Sequence, residues 1–498
     1  MARITRRLVL GGLLGGAASA ALGNAPASSP RPPARTGMRV ATSGAVSAAR
    51  ADDLIGAAAL GGAVSYVVAD AKTGLILEAR QAGQPMPPAS TMKVVTSLYA
   101  LEYLGAGYRF ATRLVATGPV EGGKVRGDLV LAGGGDPELT TDDLGDMAGA
   151  LRKAGVTGVT GRFLVWGGAL PYLEAIDRSQ PDWLGYNPSV SGLNLNFNRV
   201  NFIWKRTGNG YEVGMDARAE RFAPPVYSAR VKVADRDLPL YTYRNGGRVE
   251  EWTVARRALG KGGSRWLPVR RPELYAGDVF QTLARAQGVP LPAPEVVDRV
   301  PGGGGVLVER ASDDLAVILR DMMRYSTNMT AEAVGMAASA QRGVGSHVAS
   351  GRAMADWLKV RAGAVSARCA DHSGLAGASR ISAEDMVRAL VTLGPRAGLR
   401  GLMKEVPLRD EGGRKISGHP VRVEAKTGTL NFVSTLAGYV RAPGNTDLAF
   451  AIFTGDVARR DAVPAAQRER PEGGAAWVKR SKRLQQQLIE RWAAVYGG

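Results

Sequence analysis

The pattern of apolar and polar positions changes several times along this chain of 498 residues. Residues 62–79 contain two β-prone runs on either side of an Asp-to-Gly turn, which predicts a β-hairpin. Beyond it, two prolines precede apolar residues at helical spacing, so we expect a buried helix that begins near Ser90. From about residue 108, short strands alternate with glycine-rich turns, and helical spacing returns at residues 273–292.

The last third of the chain is predicted to contain helices, then strands, then a closing helix. The helices are expected at 312–325, from 328 to about 340, at 348–360 and at 382–394, and the strands at 421–426, 433–440 and 448–454. The closing helix, 475–496, is basic and amphipathic, and it either packs on a sheet or lies on a membrane. Its large apolar side chains favour core packing: Trp477, Leu484, Leu488, Ile489 and Trp492.

The amino terminus has the composition of an export signal. Residues 1–23 begin with basic positions that include the pair Arg6 and Arg7, followed by a short apolar run and small residues. Paired arginines are typical of twin-arginine signals but also occur in general secretory signals, so the export route stays open. Residues 24–50 are rich in Ala, Pro, Ser and Arg without periodicity, which predicts a flexible tether.

The chain is strongly basic and poor in residues that bind metals. Sixty-four Lys and Arg against 45 Asp and Glu give a net charge of +19, and the basic residues are dispersed along the chain. This favours an anionic envelope or wall partner over nucleic acid. Cys369 is the single cysteine and the three histidines are scattered, so we expect no disulfide, no metal site and no cofactor.

Ser90 and Lys93 are the first candidates for chemistry. They are three positions apart and therefore share one face of the predicted helix. A lysine on a buried helix is costly unless it is paired or used, and a neutral lysine beside a serine hydroxyl can act as a general base. A capping serine beside a solvated lysine is the alternative, because this short pattern recurs by chance in long chains.

Two further short motifs follow in the chain. Ser326-x-Asn328 lies in a predicted turn between helices, and Lys426-Thr427-Gly428 ends an alternating strand. Alone, the first could be a helix cap and the second a lysine at the end of a strand. Another Lys-Thr-Gly, at residues 72–74, precedes Ser90 and lies in the hairpin turn, so we interpret it as structural.

The ordered set of three motifs resembles the penicilloyl serine transferases, which include penicillin-binding proteins and serine β-lactamases. Ser90 and Ser326 are 236 positions apart, which leaves room for inserted domains. Four other segments are similar to class C low-molecular-mass penicillin-binding proteins, the D-alanyl-D-alanine carboxypeptidases/endopeptidases: 133–137, 193–196, 371–375 and 437–440. In this family His372 stands at a common glycine position, and Asn431 replaces a longer amide.

The resemblance implies an α/β (α+β) fold. Residues 51–107 and 271–498 would form a β-lactamase/transpeptidase-like catalytic domain, an antiparallel sheet flanked by helices. Residues 108–270 would form a β-rich inserted region of one or two domains.

The resemblance also implies roles for the motif residues. Ser90 would be the acylated nucleophile, Lys93 its base, and Ser326 with Lys426 the relay that protonates the leaving D-alanine. Asn328 would hold the substrate amide and Lys93. For substrate binding, Thr427 would hold the terminal carboxylate and Gly428 would allow close approach of the substrate backbone. The backbone N–H groups of Thr429 and Ser90 would bind the oxyanion. Further candidates for substrate contact are Ser373, Arg380 and Asn431.

The resulting expectation is an exported serine D,D-peptidase of the periplasm. It would hydrolyse the terminal D-Ala-D-Ala bond or D,D-cross-links of peptidoglycan stem peptides through an acyl-enzyme, and β-lactams would inhibit it. A β-lactamase and a catalytically silent penicillin-binding scaffold remain alternatives; the large insert argues against the first and the intact motifs against the second. Peripheral contact with membrane or wall through the basic surface, and the oligomeric state, stay open.

Overall fold

The computed structural model describes residues 50–497, so the predicted signal at 1–23 and the tether at 24–50, apart from its last residue, lie outside the described residues. Within residues 50–497, no helix is both long enough and apolar enough to cross a membrane. The α-helices are α1 (Ala51–Ala58), α2 (Met92–Tyr103), α3 (Thr141–Lys153), α4 (Pro272–Ala286), α5 (Leu315–Tyr325), α6 (Asn328–Ala340), α7 (His347–Ala362), α8 (Ala383–Thr392), α9 (Val457–Asp461) and α10 (Gly474–Tyr496).

The strands fall into a first group before α4 and a second group after it. The first group is β1 (Ala63–Asp70), β2 (Ile76–Arg80), β3 (Ala111–Ala116), β4 (Val120–Glu121), β5 (Lys124–Val125), β6 (Leu129–Gly133), β7 (Gly158–Val159), β8 (Phe163–Trp166), β9 (Arg199–Thr207), β10 (Gly210–Asp216), β11 (Ala229–Ala234), β12 (Tyr241–Asn245), β13 (Glu250–Ala255) and β14 (Gly262–Pro268). The second group is β15 (Pro294–Val296), β16 (Gly305–Ala311), β17 (Lys404–Glu405), β18 (Arg422–Leu430), β19 (Val433–Arg441) and β20 (Asp447–Gly455).

The expected transpeptidase-like domain contains a six-stranded antiparallel sheet in the order β17-β18-β19-β20-β1-β2. Successive side chains of a strand point to opposite faces, and here both faces are covered. On β19, Ala437 and Tyr439 join the core with α2, α5, α6, α7 and α8, whereas Leu436 and Val440 join the core with α10. The predicted antiparallel sheet between helical layers is therefore confirmed.

The closing helix α10 packs on this sheet, as its apolar stripe predicts. Its large side chains are buried against strand residues of the sheet: Trp477, Leu484, Leu488, Ile489 and Trp492. The indole Nε1 of Trp477 also donates to the carbonyl oxygen of Leu60 at 2.6 Å. The alternative, a helix lying on a membrane, would have left these side chains exposed.

The inserted region contains a five-stranded sheet, β15-β8-β6-β3-β16, and three three-stranded sheets, β10-β9-β14, β11-β13-β12 and β4-β5-β7. Its own apolar core includes Phe202, Trp252 and Phe280. The two final strands of the five-stranded sheet come late in the chain, because β15 pairs with β8 and β16 with β3. Residues 272–311 thus pack with the insert, although the transpeptidase-like domain was predicted to resume at residue 271. The reason is that a helical or strand pattern does not reveal which sheet a segment packs on.

The early Lys-Thr-Gly sequence forms the turn between β1 and β2. Asp70 Oδ1 accepts hydrogen bonds from the backbone N–H of Thr73 at 2.7 Å and of Lys72 at 3.1 Å. These bonds close a side-chain-capped turn of the kind that Asp favours. The structural interpretation of residues 72–74 is confirmed.

Candidate active site

Ser90 lies in a short 3₁₀ turn, residues 89–91, that runs directly into α2. The turn is fixed by Pro88, whose carbonyl oxygen accepts from Thr91 Oγ1 at 2.6 Å and from Thr435 Oγ1 at 2.7 Å. Ala89 is buried with φ of 46°, a left-handed conformation that costs a non-glycine residue free energy. Backbone strain next to Ser90 is therefore held in place by β19 and by the start of the helix.

Lys93 is buried on α2 and its ammonium nitrogen meets three oxygen atoms. Nζ lies 3.1 Å from Ser90 Oγ, 2.7 Å from Asn328 Oδ1 and 2.8 Å from the carbonyl oxygen of Ser373. Burial lowers the pKa of Lys93 to about 7, although the nearby carboxylates of Asp371 and Glu332 act in the opposite direction. The group is thus balanced between its protonated and neutral forms near neutral pH, as a general base requires.

Ser326 and Lys426 form the second pair of the site. Ser326 ends α5 in the left-handed conformation, with φ of 61°. Its Oγ accepts a hydrogen bond from Lys426 Nζ at 2.8 Å, and the same Nζ donates to the carbonyl oxygen of Thr427 at 2.8 Å. Burial, and then the positive charge of Lys93, lower the pKa of Lys426 well below its ordinary value.

Asn328 links the domain of the six-stranded sheet to the insert. It is the first residue of α6, and its Oδ1 faces Lys93 while its Nδ2 donates to the carbonyl oxygen of Tyr186 at 3.0 Å. Tyr186 belongs to the inserted region, so this region forms one wall of the site. The motif spacing predicted Asn328, but the contact with Tyr186 joins positions 142 residues apart and has no local sequence signal.

Gly428 lies where β18 packs against the Ser90 turn. A Cβ at this position would stand 2.8 Å from the backbone nitrogen of Ser90 and 2.2 Å from Thr435 Oγ1. The resemblance implied a glycine for close approach of substrate; the structure adds that the strand and the turn leave no room for a side chain. On the same strand Thr427 is half-buried and Thr429 is exposed.

The three further candidates have their polar groups engaged with neighbouring protein segments. The buried Oγ of Ser373 donates to Asp371 Oδ2 at 3.1 Å, and it is the carbonyl of Ser373 that meets Lys93. The guanidinium of Arg380 donates to the carbonyl oxygens of Gly377 and Ser379. Asn431 Nδ2 donates to the carbonyl oxygen of Arg468 at 2.7 Å. Of the three, only Ser373 is brought into contact with a motif residue, through its backbone.

Two buried carboxylates lie close to Lys93 and were not among the site residues predicted from the sequence. Glu332 accepts from the backbone N–H groups of residues 372 and 373, and Asp371 accepts from Ser379 Oγ at 2.6 Å and from the N–H of Ala376 at 2.8 Å. The available signal for Glu332 was a lone acidic residue among the apolar positions of α6. His372, which stands at a position where the family commonly has glycine, contacts Ser350 Oγ at 2.7 Å behind the site.

Comparison with known proteins identifies a family match over most of the chain. The profile of the D-Ala-D-Ala carboxypeptidase 3 (S13) family matches residues 47–479. A D-alanyl-D-alanine carboxypeptidase of Actinomadura sp. (strain R39) is 29% identical over 79% of this chain and 78% of its own length. The D-alanyl-D-alanine carboxypeptidase DacB of Haemophilus influenzae is 25% identical over 77% of this chain and 85% of its own length.

A solved structure confirms the fold class. The crystal structure of penicillin binding protein 4 from Haemophilus influenzae is similar with a TM-score of 0.69 at 20% identity, over 88% of this chain and 99% of that chain. At this identity the likeness concerns the fold alone, an antiparallel transpeptidase-like sheet with helices and additional β domains. The predicted resemblance to carboxypeptidases among the penicillin-binding proteins is confirmed, and the chain belongs to the D-Ala-D-Ala carboxypeptidase 3 (S13) family.

Proposed function

We propose that the protein is a serine D,D-carboxypeptidase that acts through an acyl-enzyme on Ser90. The family supports carboxypeptidase activity on peptidoglycan, and the observation that carries the serine mechanism is the buried Lys93 Nζ at 3.1 Å from Ser90 Oγ. Because the pKa of Lys93 is about 7, a neutral amine is available to accept the hydroxyl proton at physiological pH.

In the proposed reaction, Ser90 Oγ attacks the carbonyl carbon of the penultimate D-alanine while Lys93 takes its proton. The oxyanion that forms accepts hydrogen bonds from the backbone N–H groups of Ser90 and Thr429. Collapse of the intermediate breaks the amide bond, and the departing nitrogen takes a proton from the Ser326–Lys426 pair, whose Oγ and Nζ are 2.8 Å apart. Water then hydrolyses the ester and restores the Ser90 hydroxyl.

The substrate assignment rests on charge. Lys426, when protonated, is a buried cation near Ser326, and with Thr427 it would bind the terminal carboxylate of a peptidoglycan stem. A D,D-cross-link has a carboxylate next to the same bond, so endopeptidase activity belongs to the same proposal. A β-lactam has the corresponding amide and carboxylate, and a relative of the same fold has been solved with a β-lactam bound.

We also propose that the protein works in the periplasm. The support is the sequence of residues 1–23, with its basic start and short apolar run. The net charge of +19 suits an enzyme that works beside anionic envelope polymers.

The mechanism is tested by intact mass spectrometry after incubation with benzylpenicillin, with Ser90→Ala as the matched variant. We expect a covalent adduct on the wild type, none on Ser90→Ala, and release of D-alanine from a peptide ending in D-Ala-D-Ala by the wild type alone. An adduct on both proteins would place the nucleophile elsewhere. Rapid hydrolysis of penicillin without D-alanine release would indicate a β-lactamase, and intact penicillin without an adduct a silent scaffold.

A further inference from the structure

Glu332 is a completely buried carboxylate on α6, one helical turn after Asn328. Its Oε1 accepts from the N–H of Ser373 at 2.8 Å, and its Oε2 accepts from the N–H of His372 at 3.0 Å. His347 Nε2, at the start of α7, lies 2.8 Å from the same Oε2. Three donors from two other segments therefore converge on this one carboxylate.

The peptide segment that Glu332 holds is the segment that carries one of the three oxygens around Lys93. The carbonyl oxygen of Ser373 is 2.8 Å from Lys93 Nζ, and the carbonyl oxygen of His372 accepts from Thr96 Oγ1 at 2.6 Å. The N–H groups of this segment thus point to α6, and its carbonyl groups point to α2. A displacement of residues 372–373 would move an acceptor of Lys93 directly.

Glu332 stays ionised in this environment. Burial opposes its ionisation, but the hydrogen bond and the charge of His347, together with the other donors, lower the pKa of Glu332 to about 2. Burial likewise opposes protonation of His347, but Glu332 raises the pKa of His347 above its ordinary value. Beside Glu332, His347 therefore stays protonated to a higher pH than a free imidazole, and in that form the two groups are an ion pair behind the site.

We propose that Glu332, oriented by His347, is a positioning residue for Lys93 and that it acts through the peptide of residues 372–373. This inference rests on the proposed function, in which Lys93 is the base for Ser90. In this proposal Glu332 acts through that peptide and does not contact the reacting atoms. Its role is to fix the direction of the Ser373 carbonyl and to place a negative charge near the Lys93 ammonium.

The charge gives the proposal a specific signature. The ionisable groups that face Lys93 are Glu332, Asp371 and Lys426. Glu332 and Asp371 raise the pKa of Lys93 against the larger effect of burial. Replacing Glu332 by the neutral, nearly isosteric glutamine therefore lowers the pKa of Lys93, whereas simple loosening of the fold would expose Lys93 to water and raise it.

The test is the rate of penicillin adduct formation between pH 5.5 and 9, measured for the wild type, Glu332→Gln and Glu250→Gln. Glu250 is a matched control, because it is a buried carboxylate in the insert that accepts from the N–H of Arg270 at 2.7 Å. For the wild type we expect the rate to rise with pH about a midpoint near 7, as Lys93 loses its proton. Glu332→Gln should lower the plateau on the order of 10- to 100-fold and move the midpoint to lower pH, whereas Glu250→Gln should change neither.

The proposal would be overturned if Glu332→Gln had the same plateau rate and the same pH midpoint as the wild type. It would also be overturned if the plateau rate fell but the midpoint did not move. If Glu332→Gln does not fold, His347→Gln removes only the partner of the carboxylate, and it should lower the plateau several-fold; an unchanged plateau would overturn the proposal. If the wild type forms no adduct, the proposed function fails separately. The positioning role is then tested by NMR, from the pH dependence of the ¹³Cε resonance of Lys93. This resonance is assigned by its absence in Lys93→Arg. The same Lys93 titration in Glu332→Gln and in the wild type would contradict the positioning role.

Discussion

At the scale of single residues, the side chain that the proposed function needs at Ser326 is unfavourable for the backbone conformation found there. Its φ of 61° is unfavourable for any residue with a Cβ and would suit glycine, yet glycine has no side-chain oxygen to accept the hydrogen bond from Lys426. Strained residues of this kind persist where the surrounding structure over-determines them, and they concentrate at functional sites. The strain at Ser326 therefore supports its assignment to the site independently of the motif.

A pair of substitutions at Ser326 separates strain from chemistry. Ser326→Ala and Ser326→Gly both remove the hydroxyl that accepts from Lys426, so we expect adduct formation or D-alanine release to fall about 10²- to 10⁴-fold in each. Ser326→Gly relieves the left-handed strain and should be more stable than Ser326→Ala by about 1 kcal/mol in chemical denaturation. Wild-type turnover in Ser326→Gly would show that the hydroxyl has no part in proton transfer.

The site contacts that could be predicted from the sequence depend on local spacing, whereas those that could not depend on segments far apart in the chain. Ser90 and Lys93 share a helix face, so their contact at 3.1 Å follows from spacing. Lys93 and Ser373 are 280 positions apart, and the acceptor is a backbone carbonyl that any residue type could supply. Asn431 is the opposite case: its position next to the motif strand suggested a substrate contact, but its side-chain amide donates to the carbonyl oxygen of Arg468.

At the scale of elements, the site depends on how β18 packs against the turn before α2. The turn of residues 89–91 contacts both β18 and β19, and Thr435 on β19 donates to the carbonyl oxygen of Pro88 at 2.7 Å. The backbone nitrogen of Ser90 is thereby brought next to Gly428. In the proposed mechanism this packing holds one oxyanion donor, so the spacing between strand and turn is part of the chemistry.

Substitution of Gly428 tests that spacing. In Gly428→Ala the new Cβ would lie 2.8 Å from the nitrogen of Ser90, so the strand or the turn must move. We expect the free energy of unfolding to fall by about 1–3 kcal/mol and adduct formation to slow, as measured by denaturation and mass spectrometry. Gly401→Ala is the control, because Gly401 is exposed and a Cβ there would meet no atom within 4 Å. Wild-type rates in Gly428→Ala would contradict the packing argument.

The elements also show where sequence reasoning fails. The stripe of apolar residues on α10 was sufficient to predict its packing, because Trp477 and Trp492 have a large cost of exposure. The pairing of β16 with β3 was not predictable in the same way, because the partners lie about two hundred residues apart. Local periodicity reports that a segment is buried, and only the tertiary structure determines the sheet to which it belongs.

At the scale of the whole molecule, the insert and the catalytic domain meet beside the site. The segment between α9 and α10 contributes Glu469, whose Oε2 accepts from Trp183 Nε1 at 2.7 Å and whose Oε1 accepts from Arg265 Nη2 at 2.9 Å. Trp183 is three residues before Tyr186, the residue whose carbonyl receives Asn328. The position of the insert is therefore coupled to the amide that contacts Lys93.

Glu469→Ala should loosen this junction while the two cores remain folded. The substitution leaves Trp183 Nε1 and the Arg265 guanidinium without their carboxylate, so we expect a loss of about 1–2 kcal/mol in the free energy of unfolding. Local opening should appear as faster amide hydrogen exchange in residues 179–186. Glu472→Ala, at an exposed position three residues further on, is the control and should leave the exchange unchanged. Equal protection of residues 179–186 in Glu469→Ala and the wild type would mean that the insert is held by its other contacts, and that Asn328 does not depend on Glu469.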